Sequence, residues 1–231
     1  MYFIKVDRVS SVAEAMELQK LGVNCIGISL LNNDSFSDKR NISSEEAKVI
    51  RQALSESKLS IELEYSSNEF QEKMFIIEEI RPDFVQFNLR EPIVNTDLHS
   101  LEELGCEVIY SGLEASYDDD PSWVLSSFEN LKGTENNWFQ LDLLPDIENS
   151  WEFLKEECPK YPEELQMSDI DELAEDYKLI VTSSFSEQDI DSIIDYLPNI
   201  SGIAFVLCND PKKKDANYFE YENLESILTS F

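Results

Sequence analysis

Eight short runs rich in β-branched and aromatic residues recur along the chain, separated by stretches of helical period, and this alternation limits the possible folds more than any other feature. The candidate strands cover residues 3–6, 25–29, 60–63, 84–87, 107–110, 138–141, 179–181 and 202–206. A strand, then a helix, then another strand is the pattern of a parallel sheet joined by crossover helices. The 231 residues suffice for one large domain and lie near the lower end for eight such units, so a single domain over 1–231 is expected.

Helix starts are marked locally. Ser11 with Glu14 and Ser43 with Glu46 fit the S-x-x-E capping box, whose side chains satisfy backbone donors of the first turn. Val12, Ala15, Met16, Leu18 and Leu21 then recur at helical spacing, and Gly22 follows where a left-handed stop is wanted. Met16, Met74, Met167, Phe75, Phe87 and Phe205 are expected in the core. Two stretches exceed a minimal strand-helix repeat. Residues 111–137 read as a loop and helix start around Asp118-Asp119-Asp120-Pro121. Residues 145–176 hold twelve acids against two lysines, broken by Pro145, Pro159 and Pro162. Trp151, Phe153, Leu154, Leu165, Ile170 and Leu173 give this second stretch enough apolar surface to pack as an ordered acidic insertion after strand six, either a solvated flank or a partner-binding face.

Charge bounds the partners. With 48 acidic and 18 basic residues the net charge is −30, which disfavours nucleic acid and anionic membranes and suits a basic protein partner, high salt, or plain solubility. No apolar run approaches the ~20 residues of a membrane span and the start lacks a signal-peptide profile, so a cytoplasmic location is expected. Cys25, Cys106, Cys158 and Cys208 are widely spaced and His99 is the sole histidine. Neither a metal site, a disulfide framework nor a cofactor is indicated, and a histidine-dependent nucleophile would rest on His99 alone.

Four segments, in order and in register, resemble the phosphoribosylanthranilate isomerase family. They are Lys5-Val6-Asp7-Arg8-Val9-Ser10, Gly22-Val23-Asn24-Cys25-Ile26-Gly27, Ser37-Asp38-Lys39-Arg40-Asn41-Ile42-Ser43 and Phe84-Val85-Gln86-Phe87-Asn88-Leu89-Arg90-Glu91-Pro92. The resemblance covers residues 1–92 and continues beyond them in the order of elements. It implies an α/β fold, a TIM (β/α)8 barrel. The family performs an Amadori rearrangement of a phosphorylated aminoaldose, with a cysteine at the end of strand one as general base and an aspartate at the end of strand six as general acid.

Position by position, the resemblance puts Asp7 where that cysteine belongs and Asp142 where the acid belongs. Two facing carboxylates can divide acid and base work when their environments separate their proton affinities, and an aspartate at a strand end also serves as a cap. Arg40 matches the arginine that approaches the anthranilate carboxylate, and pairing with nearby acids is its other reading. Asn88 stands where the family has histidine. The family's phosphate-binding glycine turns are replaced by Thr182-Ser183-Ser184-Phe185 and Val206-Leu207-Cys208-Asn209-Asp210, leaving the Ser183 and Ser184 hydroxyls and Lys214, in Pro211-Lys212-Lys213-Lys214-Asp215, as candidate phosphate contacts, with a solvated lysine run as the other and leading reading of that last segment. The glycine-rich loop after strand six is also missing, with Leu143-Leu144-Pro145-Asp146 in its place. The expectation is a diverged barrel, silent in the parental reaction, that acts as an acidic binding or inhibitory module toward a basic partner. The alternative is a working sugar-phosphate isomerase with Asp7 as base, for which a phosphorylated sugar would be the substrate.

Overall fold

The computed structural model describes residues 3–31, 40–209 and 217–229. Eight parallel strands close into a barrel: β1 (Phe3–Asp7), β2 (Cys25–Ser29), β3 (Lys58–Glu62), β4 (Phe84–Asn88), β5 (Glu107–Ala115), β6 (Asn137–Leu143), β7 (Lys178–Thr182) and β8 (Gly202–Leu207), with β1 paired to β8. Each strand pairs with its successor, and the β1–β8 pairing closes the ring. A two-residue strand, β9 (Tyr218–Phe219), extends the sheet beside β8 and was not foreseen. Among the described residues no helix is long and apolar enough to cross a membrane.

The crossovers are α1 (Val12–Lys20), α2 (Ser44–Ala53), α3 (Phe70–Ile80) and α4 (Asn95–Glu103). The short α5 (Pro121–Val124) with a 3-10 turn follows β5, and α6 (Ser150–Glu156) and α7 (Met167–Asp176) follow β6. Next come α8 (Ile193–Tyr196) and α9 (Tyr221–Thr229). Their inner faces and the outer faces of the strands form one continuous apolar layer. Ser43 and Glu46 build the reciprocal box that starts α2. At α1 the box is only half made: Ser11 accepts from the Glu14 amide, but the Glu14 carboxylate turns to the Ser10 amide and to Arg40. Gly22 closes α1 at φ +85°.

Two core assignments are corrected. Phe75 is 70% exposed because the buried stripe of α3 is Phe70, Met74, Ile77 and Ile80, and position 75 falls about 100° off it. Met16 is 42% exposed, one step beyond the buried Ala15 on α1. Phe87 and Phe205 are fully buried, Met74 is buried and Met167 half-buried. Part of the loop expected from residue 111 is strand. β5 runs on to Ala115 through a register shift between Tyr110 and Leu113, where Gly112 sits at φ +71°. The acidic stretch after β6 is ordered, and Trp151, Leu154, Leu165 and Ile170 are wholly buried. It supplies one helix more than a simple crossover needs.

The inside of the barrel differs from its outside. At the N-terminal end Phe3, Phe84 and Trp138 pack ring against ring, with centroids 5.1–5.8 Å apart, and join Cys25 and Ile109 as an apolar plug. Lys58 and Lys178 lie over the Phe84 and Trp138 rings, and Glu107 accepts the Trp138 indole proton at 2.6 Å. Above this plug the lumen is polar.

Candidate functional site

Side chains alternate across a strand, so residues two apart share the inner face. On β1 that face carries Lys5 and Asp7, on β3 Ser60 and Glu62, on β4 Gln86 and Asn88, and on β6 Gln140 and Asp142. Lys5 is fully buried at mid-height, and its ammonium gives one donor each to Asp7, Gln86 Oε1 (2.6 Å) and Gln140 Oε1 (2.9 Å), the three an ammonium possesses. Gln140 Nε2 donates back to Asp7 Oδ2 at 2.9 Å, and Gln86 Nε2 donates to Ser111 Oγ at 3.2 Å. Gly27 makes room for this cluster: a Cβ there would sit 2.0 Å from Asp7 Oδ1.

Above this layer, at the C-terminal end where barrels of this type place their chemistry, opens a cavity of about 350 Å³. Its wall includes Asp7, Arg8, Ser29, Glu62, Asn88 and Asp142. Asp7 and Asp142, both expected as site residues, therefore face one space. Asp142 Oδ1 accepts from Thr182 Oγ1 at 3.1 Å and from Asn217 Nδ2. Glu62 is pushed above the ordinary carboxylate range, first by burial and then by the Asp7 charge, against the opposing influence of Ser29, Lys5 and Arg8. Burial also drives the Cys25 thiol upward.

The side chains matched to phosphate and carboxylate binding lie elsewhere. Arg40 is 3% exposed and acts as a bracket. Its Nε donates to the Arg8 carbonyl, one terminal nitrogen to Asn209 Oδ1 and the other to Glu14 Oε2, each at 2.7 Å. Ser183 is fully buried against Ser150, with the hydroxyls 2.8 Å apart. Ser150 also reaches the Ser184 hydroxyl at 3.2 Å and donates to Asn217 Oδ1 at 2.8 Å. Asn217 carries this network on to Asp142. Two non-glycine residues hold left-handed backbone at the rim: Arg8 (φ +64°), directly after Asp7, and Leu144 (φ +50°), where the family has its glycine-rich loop. Lys214 and the 37–39 part of the Arg40 segment lie outside the described residues.

Lys5, Glu62, Gln86, Gln140 and Asn217 were not singled out from the sequence. The signal for four of them was present as Lys5-x-Asp7, Ser60-x-Glu62, Gln86-x-Asn88 and Gln140-x-Asp142, polar pairs at period two in strands where an apolar lumen would place Val, Ile or Leu. Asn217 carried none, because it comes to Asp142 through the chain fold alone. Among the described residues no group of acidic, cysteine or histidine side chains is arranged to hold a metal ion.

No protein-family model and no curated protein sequence matches the chain. Solved structures do. Phosphoribosylanthranilate isomerase from Thermotoga maritima, in a monomeric form of the dimeric enzyme, superposes with a TM-score of 0.65 at 13% identity over 100% of this chain and 98% of that one. The Pyrococcus furiosus enzyme gives 0.63 at 15% over 100% and 98%. The Thermotoga maritima phospho-2-dehydro-3-deoxyheptonate aldolase gives 0.59 at 12%, over 99% of this chain and 67% of that one. The fold is therefore that of phosphoribosylanthranilate isomerase.

Proposed function

We propose that this barrel does not carry out the Amadori isomerisation and works as an acidic binding protein for a basic protein partner. The observation that carries the first half is that the candidate groups are already engaged with the chain itself. Asp7, in the place of the base, is ion-paired to a buried lysine, and Arg40 is spent on Glu14, Asn209 and a carbonyl. Ser183 and Ser184 bond to Ser150. An anionic substrate would have to displace these partners and then face Asp7, Glu62, Glu114 and Asp142 on the cavity wall.

Charge distribution supports the second half. Residues 93–231 hold 32 of the 48 acids and 7 of the 18 basic residues, so most of the net charge falls in the second half of the barrel and its extra helix. Such a field attracts a cationic protein at long range and raises its association rate, an effect that salt weakens. Binding to a lysine- or arginine-rich partner should therefore fall steeply with ionic strength, and affinity indifferent to salt would overturn this half.

A second reading is favoured by one observation, the presence of Asp7 and Asp142 on the same cavity wall. It makes the chain an isomerase with Asp7 as base. Assaying phosphoribosylanthranilate turnover with the wild type, Asp7→Cys and Asp142→Ala separates the two. Silence in all three supports the binding role. Wild-type turnover that Asp142→Ala removes establishes the isomerase.

A further inference from the structure

The cavity wall divides into two arcs of different character. On one side Asp7, Gln140, Asp142 and Thr182, from β1, β6 and β7, are bonded to Lys5, Asn217 and one another. On the other side Ser29, Glu62 and Asn88 stand at the ends of β2, β3 and β4, three consecutive strands with Ser29 directly beside Glu62 in the register. Ser29 is 1% exposed and lines the cavity, and among the described residues its hydroxyl has only the neighbouring Glu62 carboxyl to lean on, without a hydrogen bond of normal geometry. A buried hydroxyl so weakly bonded is one that a ligand atom placed against it satisfies better. Asn88 is exposed to the cavity, and its carboxamide makes no hydrogen bond to another of the described residues. Gly112 keeps its place clear, since a Cβ there would lie 2.0 Å from Asn88 Oδ1. Below them the Ser60 hydroxyl, fully buried on the same face of β3 as Glu62, has no hydrogen-bond partner among the described residues.

We infer that this β2–β4 arc is a binding site for a small, uncharged polyhydroxylated molecule of sugar or sugar-alcohol type, held by Ser29, Glu62 and Asn88. One hydroxyl, one carboxyl and one carboxamide within a single concave surface offer the mixed donors and acceptors that a row of hydroxyls matches, and about 350 Å³ accommodates a pentose or hexose. Tyr218 and Val206 supply the limited apolar wall that the carbon face of such a ligand needs. A phosphorylated ligand fits poorly. Arg8 is the one basic side chain among the described residues of this wall and stands among Asp7, Glu62, Glu114 and Asp142, so the wall stays net acidic, and the serines after β7 that would meet a phosphate are bonded to Ser150. The inference concerns the cavity alone and is independent of any partner on the outer surface.

The test is saturation-transfer NMR of the full chain with ribose, glucose and myo-inositol, each beside ribose 5-phosphate or glucose 6-phosphate as the charged counterpart. The site predicts transfer to at least one neutral polyol, with about tenfold weaker binding of its phosphorylated form and a loss of about tenfold or more in Asn88→Ala and Glu62→Gln. Asn88 is exposed and its removal leaves the fold intact, which an unchanged melting temperature verifies. Transfer to none of the neutral compounds, preference for the phosphorylated ones, or binding unaffected in Asn88→Ala would each overturn the assignment.

Discussion

Lys5 and Asp7, two residues apart on β1, point the same way into the barrel and form a buried ion pair at its centre, where the Lys5 ammonium also bonds Gln86 and Gln140. Removing two charges from water costs several kcal/mol each, so the pair is tolerable only because both amides and the carboxylate complete the ammonium's coordination. The same contacts tie β1 to β4 and β6 across the lumen. The pair is thus a strut of the barrel, built from the residue that resemblance would make a catalytic base.

Truncating one partner leaves the other charge buried and alone. Lys5→Ala should lower unfolding free energy by about 3–5 kcal/mol, read as a drop in the urea midpoint. The double change Lys5→Met with Asp7→Leu should recover most of that loss, because a packed apolar pair requires no desolvation of charge. A double variant no better than Lys5→Ala would show that the pair does not act as a unit.

The raised Glu62 carboxyl makes a pH prediction of definite sign. Its proton affinity is higher in the folded than in the unfolded chain, so folding takes up a proton and this contribution is fully present below the ordinary value of 4.5. It is lost as pH rises above 4.5 through the raised value. Relative to Glu62→Gln, the wild type should lose stability across that window. Parallel stability curves for the two proteins would remove Glu62 as the cause.

All four thiols are buried and none is in a disulfide. Burial pushes Cys106 and Cys158 up to about 11, with Cys25 higher still. A thiol reagent should therefore label the native protein only at the rate of opening, and all four sites should react at once in denaturant. Rapid labelling of one thiol in the native protein would contradict this packing.

Trp151 anchors the extra acidic helix α6. It is fully buried, with Phe185 and Tyr196 ring centroids at 5.1 and 6.0 Å. Trp151→Ala should cost about 3–5 kcal/mol and raise protease cleavage within 145–176 first. Uniform cleavage along the chain would mean that the helix is not a local unit.

The eight strands were legible because each is a short β-branched run bounded by a helix signal, and Ser43 with Glu46 announced α2 for the same local reason. β5 runs past the expected 107–110 because the backbone at Gly112, at φ +71°, shifts the register without ending the strand. Phe75 was misplaced by composition: a large aromatic suggests a core, but its angular position on α3 decides exposure. For the site, family matching picked out Asp7, Asp142 and Arg40. What they touch was not readable, since Glu14 and Asn209 reach Arg40 from 26 residues before and 169 residues after it. The polar lumen is written into the sequence as alternate polar residues on four strands, but lysine and glutamine inside a barrel run against the usual composition of such interiors, so the pattern does not by itself announce a lumen.

The central claim, that the engaged mouth of this barrel has left isomerase chemistry behind, is tested most directly by a single-turnover assay. Phosphoribosylanthranilate is mixed with the wild-type protein in excess and its fluorescence followed, so that even a slow conversion registers. The account predicts loss of substrate at the rate seen without protein. Faster conversion that disappears in Asp142→Ala would contradict it and make Asp7 and Asp142 a working acid and base.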